Sequence, residues 1–595
     1  MSDFKTPLRD MQFVLHEMLN AEQVLSALPS MEAVDAAIID QVLDESGKFM
    51  GSVLAPLNAV GDEQGCTLND DRSVTTPDGF ADAYRQFVEA GWSSLSADPA
   101  FGGQGLPACV QIPVNEMMFA CNQAWGMFVG LSQGAYKCLH TFGTPEQKQT
   151  YLTKLGAGEW TGTMCLTEPQ AGTDLGLLRS KAEPQGDGAY RLTGQKIFIS
   201  AGEHDLADNI VHLVLARLPD APAGTRGISL FVVPKFLPDE NGEAGERNAI
   251  YCSGLEEKMG IHGSPTCQIS LEGATGWLVG EPNKGLPAMF VMMNEARLGV
   301  GLEAQGLSVG AYQKAVAYAK DRIQGKSPVV PRDKDRPADP IIQHPDVRRM
   351  LLTQKAYIEG QRAMAYWTAL LVDEAEHHPD AEHRKQAHAL VELLTPVVKA
   401  FLTDNALICT NLAIQCLGGY GYIREYGVEQ YFRDARIKPI YEGTNGIQAM
   451  DLLGRKVLMD GGERLQLLSR HIEQDIAAAS QTHPDKARAV GELLEQTGEF
   501  TRWIGGQVQD SPAEAPAAAV DYLRAMAHLI VSSLWLRAAH IATTRLEAGD
   551  DRAFYQSKLD TADFYFARLL PEAHYHLQAG RAGAASLMSL AEEAF

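Results

Sequence analysis

The spacing of apolar residues changes twice along the chain, and this change limits the possible fold more than any other feature. Up to about residue 155, apolar side chains recur every three or four positions, as at Val114, Met117 and Met118, which predicts helices. Between residues 160 and 279 the runs become short, alternating and β-branched, as in 190–200 (YRLTGQKIFIS), which predicts strands. From residue 286 helical spacing returns. We therefore predict an α+β protein in which a β domain lies between helical regions.

The chain has 595 residues, too many for one ordinary hydrophobic core, so several domains are expected. We place them at residues 1–159 (helical), 160–282 (β), 283–460 (helical) and 461–595 (an appended helical domain). Within the third, residues 324–340 carry four prolines and dense charge, which predicts a solvated loop or lid and not a helix.

Charge and composition argue against several classes of protein. The net charge of −24 is unfavourable for general binding to nucleic acid or to an anionic membrane, both of which attract clustered lysine and arginine. The sequence contains no run of about 18 uncharged apolar residues that could span a bilayer. Its nine cysteines show no CxxC pair and no spacing typical of a metal site. Residues 1–19 lack the pattern of a signal peptide. We therefore expect a reduced, cytoplasmic protein without a metal site or a membrane span.

Residues 415–448 (QCLGGYGYIREYGVEQYFRDARIKPIYEGTNGIQ) concentrate glycines, aromatic residues and paired charges, which favours one wall of an active site. Glu442 stands there between Tyr441 and Gly443, just before a turn. Partial desolvation at such a place raises the pKa of a carboxyl group toward the range that is useful for removing a proton. The alternative is that Glu442 caps the helix that resumes at Ile447.

Two further segments carry groups that suit a heteroaromatic ring or a pyrophosphate. Residues 164–174 (MCLTEPQAGTD) place the hydroxyl groups of Thr167 and Thr173 on a turn-rich loop, for which a simple capped turn is the alternative. Phe198 and Ser200 end a predicted strand, so a rigid element could present an aromatic face and a hydroxyl group. The alternative for Phe198 is an ordinary place in the core.

A nicotinamide cofactor is not expected. The glycines of residues 418–423 (GGYGYI) have the wrong spacing for a dinucleotide-binding fingerprint, and they follow a helical sequence where a strand would be required. His140 and His262 lie near glycines in predicted loops. We interpret both as structural histidines that form hydrogen bonds.

Five segments occur along the chain in this order: CLTEPQAGTD, GQKIFISAG, KMGIHGSPTCQISLEG, NEARLGVGLEAQG and the stretch 415–448. Together they closely resemble the signature of the acyl-CoA dehydrogenase family, over roughly residues 80–457. The additional residues at both ends resemble the long bacterial branch that includes 3-methylmercaptopropionyl-CoA dehydrogenases. The resemblance implies the acyl-CoA dehydrogenase fold: an N-terminal helical domain, a central β domain and a C-terminal four-helix bundle, with FAD between them, here followed by an appended helical domain.

The resemblance also implies a reaction. Glu442 would remove the α-proton of an acyl-CoA thioester while the β-hydrogen leaves as hydride to flavin N5, which gives a trans-2-enoyl-CoA. The backbone N–H of Glu442 and an FAD ribityl hydroxyl would bind the thioester carbonyl and make the α-proton acidic enough to remove. Arg297 and Gly443 would lie beside the substrate. The electrons would pass to an electron-transfer flavoprotein.

The family's FAD-binding positions correspond to Leu166, Thr167, Thr173, Phe198, Ser200, Arg322, Gln415, Gly418, Gly419 and Thr444. Arg322 resembles the arginine that reaches the FAD pyrophosphate of a neighbouring subunit, a task that suits an always-charged guanidinium. The resemblance therefore implies a homo-oligomer, and we expect a dimer. The chain departs from the family pattern at Gly446, where many relatives carry a glutamine that contacts FAD, and at residues 323–325, where an aromatic residue next to a glycine is usual.

Two other functions stay open on the same scaffold. An acyl-CoA oxidase would use dioxygen as the electron acceptor. A flavin-containing, DNA-associated binding protein of the same superfamily would carry a basic C-terminal surface, whereas residues 461–595 hold 12 lysines and arginines against 18 aspartates and glutamates. The sequence leaves open the acyl chain length and the preference for straight, branched or thioether chains.

Overall fold

The computed structural model describes residues 4–329, 335 and 337–595, and these residues form two compact units. The described residues of the first unit are Phe4, Glu45–Leu106 and Met117–Gly299. Those of the second unit are Lys5–Asp44, Pro107–Glu116 and the described part of Val300–Phe595. Each unit buries its own set of large apolar side chains.

A seven-stranded mixed sheet forms the centre of the first unit. Six of its strands lie in the order Trp160–Cys165, Asn209–Ala216, Ser229–Pro234, Thr266–Val279, Ala189–Ser200 and Lys181–Pro184. The seventh, Ile250–Leu255, also pairs with Thr266–Val279. The first two strands are parallel, and the other described pairs in the sheet are antiparallel. The order of helical, β and helical regions predicted from apolar spacing is confirmed.

Both faces of the sheet are covered by apolar side chains. Along Asn209–Ala216, Leu213 and Leu215 belong to one buried cluster, whereas Val214 and Ala216 belong to another. Successive side chains of a strand point to opposite faces, so each face receives every second residue. All eight residues of this strand are buried, which explains why its sequence is almost continuously apolar.

Helices of the first unit precede the sheet in the sequence. Their bounds are Leu57–Gln64, Phe80–Glu89, Gln123–Phe142 and Pro145–Ala157, and the small strand pairs are Thr67–Leu68 with Val74–Thr75 and Phe236–Pro238 with Ala244–Arg247. The helix Pro145–Ala157 begins with a capping box: Thr144 Oγ1 accepts from Gln147 N at 3.2 Å, and Gln147 Oε1 accepts from Thr144 N at 3.0 Å. Three helices have residues in both units: Ala36–Phe49, Ala108–Cys121 and Gly285–Asp321.

The second unit is built from helices. The longer ones that lie wholly within it are Pro345–His377, Ala381–Leu417, Glu463–Ala479, Pro484–Asp510, Glu514–Ala548, Arg552–Arg568 and Pro571–Gly580. Shorter helices are Leu8–Gln12, Ala21–Ser26, Gly419–Tyr422, Glu429–Ala435, Asn445–Met450 and Ala585–Met588. Pro516 lies in the first turn of Glu514–Ala548, where its missing N–H leaves no hydrogen bond unmade.

The segment 324–340 is predicted to be a solvated loop or lid, and its described part is non-helical and mostly exposed. Gln324 N donates to Asp339 O at 3.0 Å, and Asp339 N donates to Gly325 O at 2.8 Å. Ser327 is buried and donates through Oγ to Gln343 O at 2.7 Å. The described part is thus a solvated, non-helical loop, as predicted, and these hydrogen bonds hold it locally. Residues 330–334 and 336 of the predicted loop lie outside the described residues.

Two helices in the described part of the chain are long and apolar enough to cross a membrane by length and composition alone. They are Ala381–Leu417 and Glu514–Ala548, and 67% and 83% of their most apolar windows are buried inside the protein. Core helices of a large helical unit have the same composition.

Candidate active site

The loop of residues 441–444, called here the base loop, has an unusual backbone. Glu442 has φ +55° and Gly443 has φ +84°, so two consecutive residues are left-handed. This conformation costs a residue with a Cβ about 1 kcal/mol or more, and such strain collects at functional sites. Glu442 is half-buried. The surrounding contacts therefore have to hold the backbone of the loop in this conformation.

Two buried side chains bind the carbonyl groups of the base loop. Lys399 Nζ, on the helix Ala381–Leu417, donates to Gly443 O at 2.9 Å. Gln448 Nε2 donates to Gly443 O at 3.2 Å and lies 3.4 Å from Glu442 O. Sequence reasoning missed Lys399, although a single lysine within the apolar run PVVKAFL is a usable signal for a buried polar role.

The helix that follows the base loop is capped by Thr444. Thr444 Oγ1 accepts from Ile447 N at 3.3 Å, and the helix Asn445–Met450 begins two residues earlier than expected. The alternative that Glu442 serves as the cap is therefore wrong. The proposed contact of Thr444 with FAD stays a prediction, and the neighbouring Gly446 is exposed.

Glu303 organises the residues that precede Glu442. The carboxylate of Glu303 accepts hydrogen bonds from Lys438 Nζ and from the hydroxyl of Tyr441, and Lys438 Nζ lies 2.9 Å from the same hydroxyl. Burial, together with the nearby negative charge of Glu303, raises the pKa of Tyr441 well above its usual value. Tyr441 is therefore a neutral hydrogen-bond donor at neutral pH, which fixes the start of the base loop.

Four predicted cofactor residues of the second unit line one cleft of about 430 Å³. They are Arg322, Gln415, Gly418 and Gly419. Arg322 is exposed, and its guanidinium carbon lies 5.6 Å from the centre of the Tyr420 ring. Gly418 has φ +61°, and a Cβ at Gly419 would meet no described atom within 4 Å. Backbone, amide and guanidinium groups are thus open to a ligand in one place.

The predicted cofactor residues of the first unit lie where a loop meets the end of a strand. Thr167 O accepts from Ile197 N at 2.9 Å, and the buried Leu166 carbonyl accepts from Lys196 Nζ at 3.1 Å. Lys196 Nζ also pairs with Glu168 at 2.8 Å. Sequence reasoning missed this buried pair, which ties the loop to the strand. Thr173 lies farther along the same loop and is exposed.

Phe198 is presented to solvent at the end of the strand Ala189–Ser200. The residue is 59% exposed and its φ is +58°, a rare conformation for an aromatic residue. The alternative that Phe198 belongs to the core is therefore wrong. Ser200 is half-buried and pairs in register with Thr266 on the neighbouring strand. A rigid sheet therefore holds both residues, as the sequence predicted, while their contact with flavin stays a prediction.

Arg297 is buried in the first unit, on the helix Gly285–Asp321, and donates from Nη1 to Asn294 Oδ1 at 3.2 Å. Glu442 belongs to the second unit, so a shared role with Arg297 stays a prediction.

The two histidines interpreted as structural form hydrogen bonds within the first unit. His140 Nε2 lies 3.0 Å from Asp98 Oδ2. His262 Nδ1 lies 3.0 Å from Asp62 O, and His262 Nε2 lies 2.8 Å from Lys258 O. Among the residues that the structure describes, no group of three or more histidine, cysteine, aspartate or glutamate side chains is arranged to hold a metal ion.

Four family models match successive parts of the chain. "Acyl-CoA dehydrogenase, N-terminal domain" matches residues 41–159, "Acyl-CoA dehydrogenase, middle domain" matches 163–274, and "Acyl-CoA dehydrogenase, C-terminal domain" matches 283–458. "Acetyl-CoA dehydrogenase C-terminal like" matches residues 468–591.

Similar proteins cover almost the full length of the chain. The 3-methylmercaptopropionyl-CoA dehydrogenase of Ruegeria pomeroyi is 44% identical over 96% of this chain and 96% of its own length. The broad-specificity linear acyl-CoA dehydrogenase FadE5 of Mycobacterium tuberculosis is 36% identical over 96% of both chains. A crystal structure of an acyl-CoA dehydrogenase from Bacillus anthracis, complexed with FAD, superimposes with a TM-score of 0.74 at 21% identity and covers 93% of this chain and 90% of that one. The chain belongs to the acyl-CoA dehydrogenase family, a class of oxidoreductases that act on CH–CH groups.

Proposed function

We propose that the protein catalyses the FAD-dependent α,β-dehydrogenation of an acyl-CoA thioester to a trans-2-enoyl-CoA, with Glu442 as the base. The observation that carries the proposal is the half-buried Glu442 on a loop whose carbonyl groups are bound by Lys399 and Gln448. A base held in this way needs little reorganisation when it takes a proton. Membership of the family supplies the class of reaction.

Glu442 takes the α-proton of the substrate on a carboxylate oxygen. The α-proton of a thioester is far too weakly acidic for a carboxylate in water, so oriented donors at the carbonyl oxygen have to stabilise the charge that develops there. The backbone N–H of Glu442 is the proposed donor from this chain. Gly443 has no side chain, which lets the thioester approach the backbone beside the base.

FAD, when bound, supplies the acceptor for the hydride that leaves the β-carbon. The residues present fit this cofactor. Arg322 and Gln415, next to the open backbone of Gly419, suit a pyrophosphate and its adenosine, because the guanidinium is always charged and binds phosphate in a bidentate manner. In the first unit, the half-buried Thr167 offers a hydroxyl group and Phe198 offers an exposed aromatic face to the flavin ring.

Anaerobic bleaching of the bound flavin tests this function. A panel of straight-chain, branched and thioether acyl-CoAs, with 3-methylmercaptopropionyl-CoA among them, is expected to contain compounds that bleach the flavin of the holoenzyme. Glu442→Gln removes the base and should slow bleaching by about 10²–10⁴-fold. The control is Glu463→Gln, which changes an exposed carboxylate at the start of a helix and should leave the rate unchanged. Bleaching of Glu442→Gln at the wild-type rate would assign the base to another residue.

We further propose that the protein is a cytoplasmic homodimer whose electron acceptor is an electron-transfer flavoprotein. Support for this acceptor over dioxygen comes from the relatives, which are named as dehydrogenases. Rapid consumption of oxygen on addition of acyl-CoA would instead identify an oxidase. The acidic balance of residues 461–595, with 12 basic against 18 acidic side chains, argues against a DNA-binding role.

A further inference from the structure

Asn445 lies directly after the base loop, and hydrogen bonds hold both ends of its side-chain amide. Its amide oxygen accepts from Lys399 Nζ at 2.9 Å, and the same Nζ donates to Gly443 O at 2.9 Å. The amide nitrogen of Asn445 donates to Asp404 Oδ1 at 2.7 Å. Thr403 Oγ1 at 2.9 Å and Ala400 O at 3.2 Å also accept from this amide nitrogen. Asp404 is thus one of three acceptors that orient the amide group, which shares Lys399 with the base loop.

The other oxygen of Asp404 is bound by a residue of the appended region, residues 461–595. Arg524 donates from Nη1 to Asp404 Oδ2 at 3.3 Å, and its side chain is 14% exposed. Arg524 Nε donates to His576 Nε2 at 3.0 Å, and the guanidinium carbon lies 5.7 Å from the centre of the Phe401 ring. Glu572 Oε2 also lies 3.8 Å from Arg524 Nη2. Four partners therefore surround one planar guanidinium, which reduces its freedom to turn away from Asp404.

His576 is fixed in turn. Its Nδ1 lies 2.7 Å from Asp521 Oδ1. Because Nε2 accepts a hydrogen bond from Arg524, Nδ1 carries the proton that is donated to Asp521. The helix Asn445–Met450 also packs directly against the helix Glu514–Ala548, which carries Arg524. The appended region thus contacts the helix that directly follows the base loop, both through packing and through a chain of polar groups.

We propose that Arg524 is a positioning residue for Glu442, so that the appended region helps to set the geometry of the base. This inference rests on the proposed function of Glu442. Without the guanidinium, the half-buried Asp404 loses its cationic partner. One of the three acceptors of the Asn445 amide, and the one at the shortest distance, then loses its fixed orientation. The base loop then samples positions in which the carboxylate is misplaced, and a misplacement of about 1 Å lowers a rate by up to about a hundredfold.

Arg524→Met tests the inference because it removes the charge and the donors but keeps a long apolar side chain. The matched control is Arg537→Met in the same helix, since Arg537 pairs with Asp475 at 2.7 Å within the appended region and is 21% exposed. In the holoenzyme, Arg524→Met is expected to slow anaerobic flavin bleaching about tenfold or more, with flavin content and KM for acyl-CoA unchanged. Arg537→Met should lower the melting temperature and leave the bleaching rate unchanged.

Hydrogen–deuterium exchange of the holoenzyme gives a second readout that is independent of activity. Amides of residues 441–450 should exchange faster in Arg524→Met than in the wild type or in Arg537→Met. Arg524→Lys keeps a positive charge and should recover part of the bleaching rate. If Arg524→Met does not fold, Asp404→Asn weakens the same pair from its other side and takes its place.

The outcomes separate this inference from the proposed function. If the wild type bleaches while Arg524→Met bleaches equally fast and exchanges like the wild type, the inference is overturned and the proposed function stands. If the wild type does not bleach with any acyl-CoA, the proposed function is overturned. Hydrogen–deuterium exchange then still tests the inference: faster exchange of residues 441–450 in Arg524→Met supports a positioning role for this arginine, and unchanged exchange contradicts it. The double variant Arg524→Met/Asp404→Asn should be no slower than the worse single variant, because both changes break one pair.

Discussion

Glu168 and Lys196 form a buried ion pair, at 2.8 Å, under the loop that carries Thr167. Burial opposes ionisation of the Glu168 carboxyl group, but the charge of Lys196 and hydrogen bonds from Lys196, Arg179 and Ser180 outweigh it, so the pKa falls from 4.5 to about 2. The pKa in the folded state is below the unfolded value. The ionised carboxylate therefore stabilises the fold above pH 4.5, and this contribution is lost as the pH falls toward 2.

Glu168→Gln is expected to lower the free energy of unfolding at neutral pH by about 3 kcal/mol, because it leaves a buried ammonium group without its carboxylate. The difference from the wild type should shrink as the pH falls from 4.5 toward 2. Urea denaturation at a series of pH values measures this difference. Glu183→Gln, on an exposed position of the strand Lys181–Pro184, is the control and should show no such trend. A difference for Glu168→Gln that stays constant with pH would contradict the ion pair.

Single residues of the site differ in how far the sequence could predict them. Glu442 and Phe198 stand in recognisable motifs, but their left-handed backbones could not be predicted, because a local pattern that requires φ above zero normally contains glycine or asparagine. Lys399 could not be assigned to the base loop, because it lies 44 residues before Gly443 and meets it only in the folded helical unit. Tertiary contacts, not local preferences, decide both features.

At the scale of secondary structure elements, the helix Pro345–His377 approaches the helix Glu514–Ala548 closely at one glycine. A Cβ at Gly360 would lie 2.7 Å from Trp535 Nε1. The indole cannot easily withdraw, because Trp535 Nε1 donates to Ala356 O at 3.2 Å. The absence of a side chain at Gly360 is thus a condition for the packing of the appended region on this helix.

Gly360→Ala is therefore expected to lower the free energy of unfolding by about 1–3 kcal/mol through overpacking. Gly506→Ala, within the helix Pro484–Asp510, is a control of the same chemistry, since a Cβ there would meet no described atom within 4 Å. It should raise stability by about 0.5–1 kcal/mol, because alanine loses less backbone entropy than glycine in a helix. Thermal unfolding followed by circular dichroism measures both. Changes of the same sign in the two variants would contradict the close approach.

Elements were predicted best where one physical pattern dominates. Alternating and β-branched residues predict the strands, because every second side chain of a strand points to the same face of the sheet and packs against a buried cluster there. The segments Phe13–Met18 and Asp451–Leu458 are π-helical, and such wide turns could not be predicted from a 3.6-residue period. In these turns Leu19 N donates to Val14 O at 3.0 Å, and Met459 N donates to Gly454 O at 2.9 Å, five residues back in each case. The start of the helix Asn445–Met450 was predicted too late, at Ile447, because the sequence prediction assigned Thr444 to FAD binding beside Glu442 and not to the helix cap.

At the scale of the whole molecule, the proposed dimer makes a prediction about which chain supplies which group. Arg322 is proposed to bind the FAD of the neighbouring subunit, and Glu442 to serve the substrate of its own. Arg322→Met and Glu442→Gln should each be inactive as homodimers, the first through weaker FAD binding and the second through loss of the base. In their heterodimer, the subunit with Arg322→Met keeps its own Glu442 and receives an intact arginine from its partner. One of the two sites is then complete, so about half of the wild-type activity is expected.

A second heterodimer gives the opposite result. It joins a wild-type subunit to one that carries both Arg322→Met and Glu442→Gln. If the arginine crosses between subunits, the wild-type subunit lacks an arginine and its partner lacks a base, so this heterodimer is inactive. If the arginine serves its own subunit, this heterodimer has about half of the wild-type activity and the first has none. Each heterodimer is purified through a different tag on each of its two subunits, and its flavin bleaching is measured. If the arginine crosses between subunits, only the first heterodimer is active; if it serves its own subunit, only the second is active.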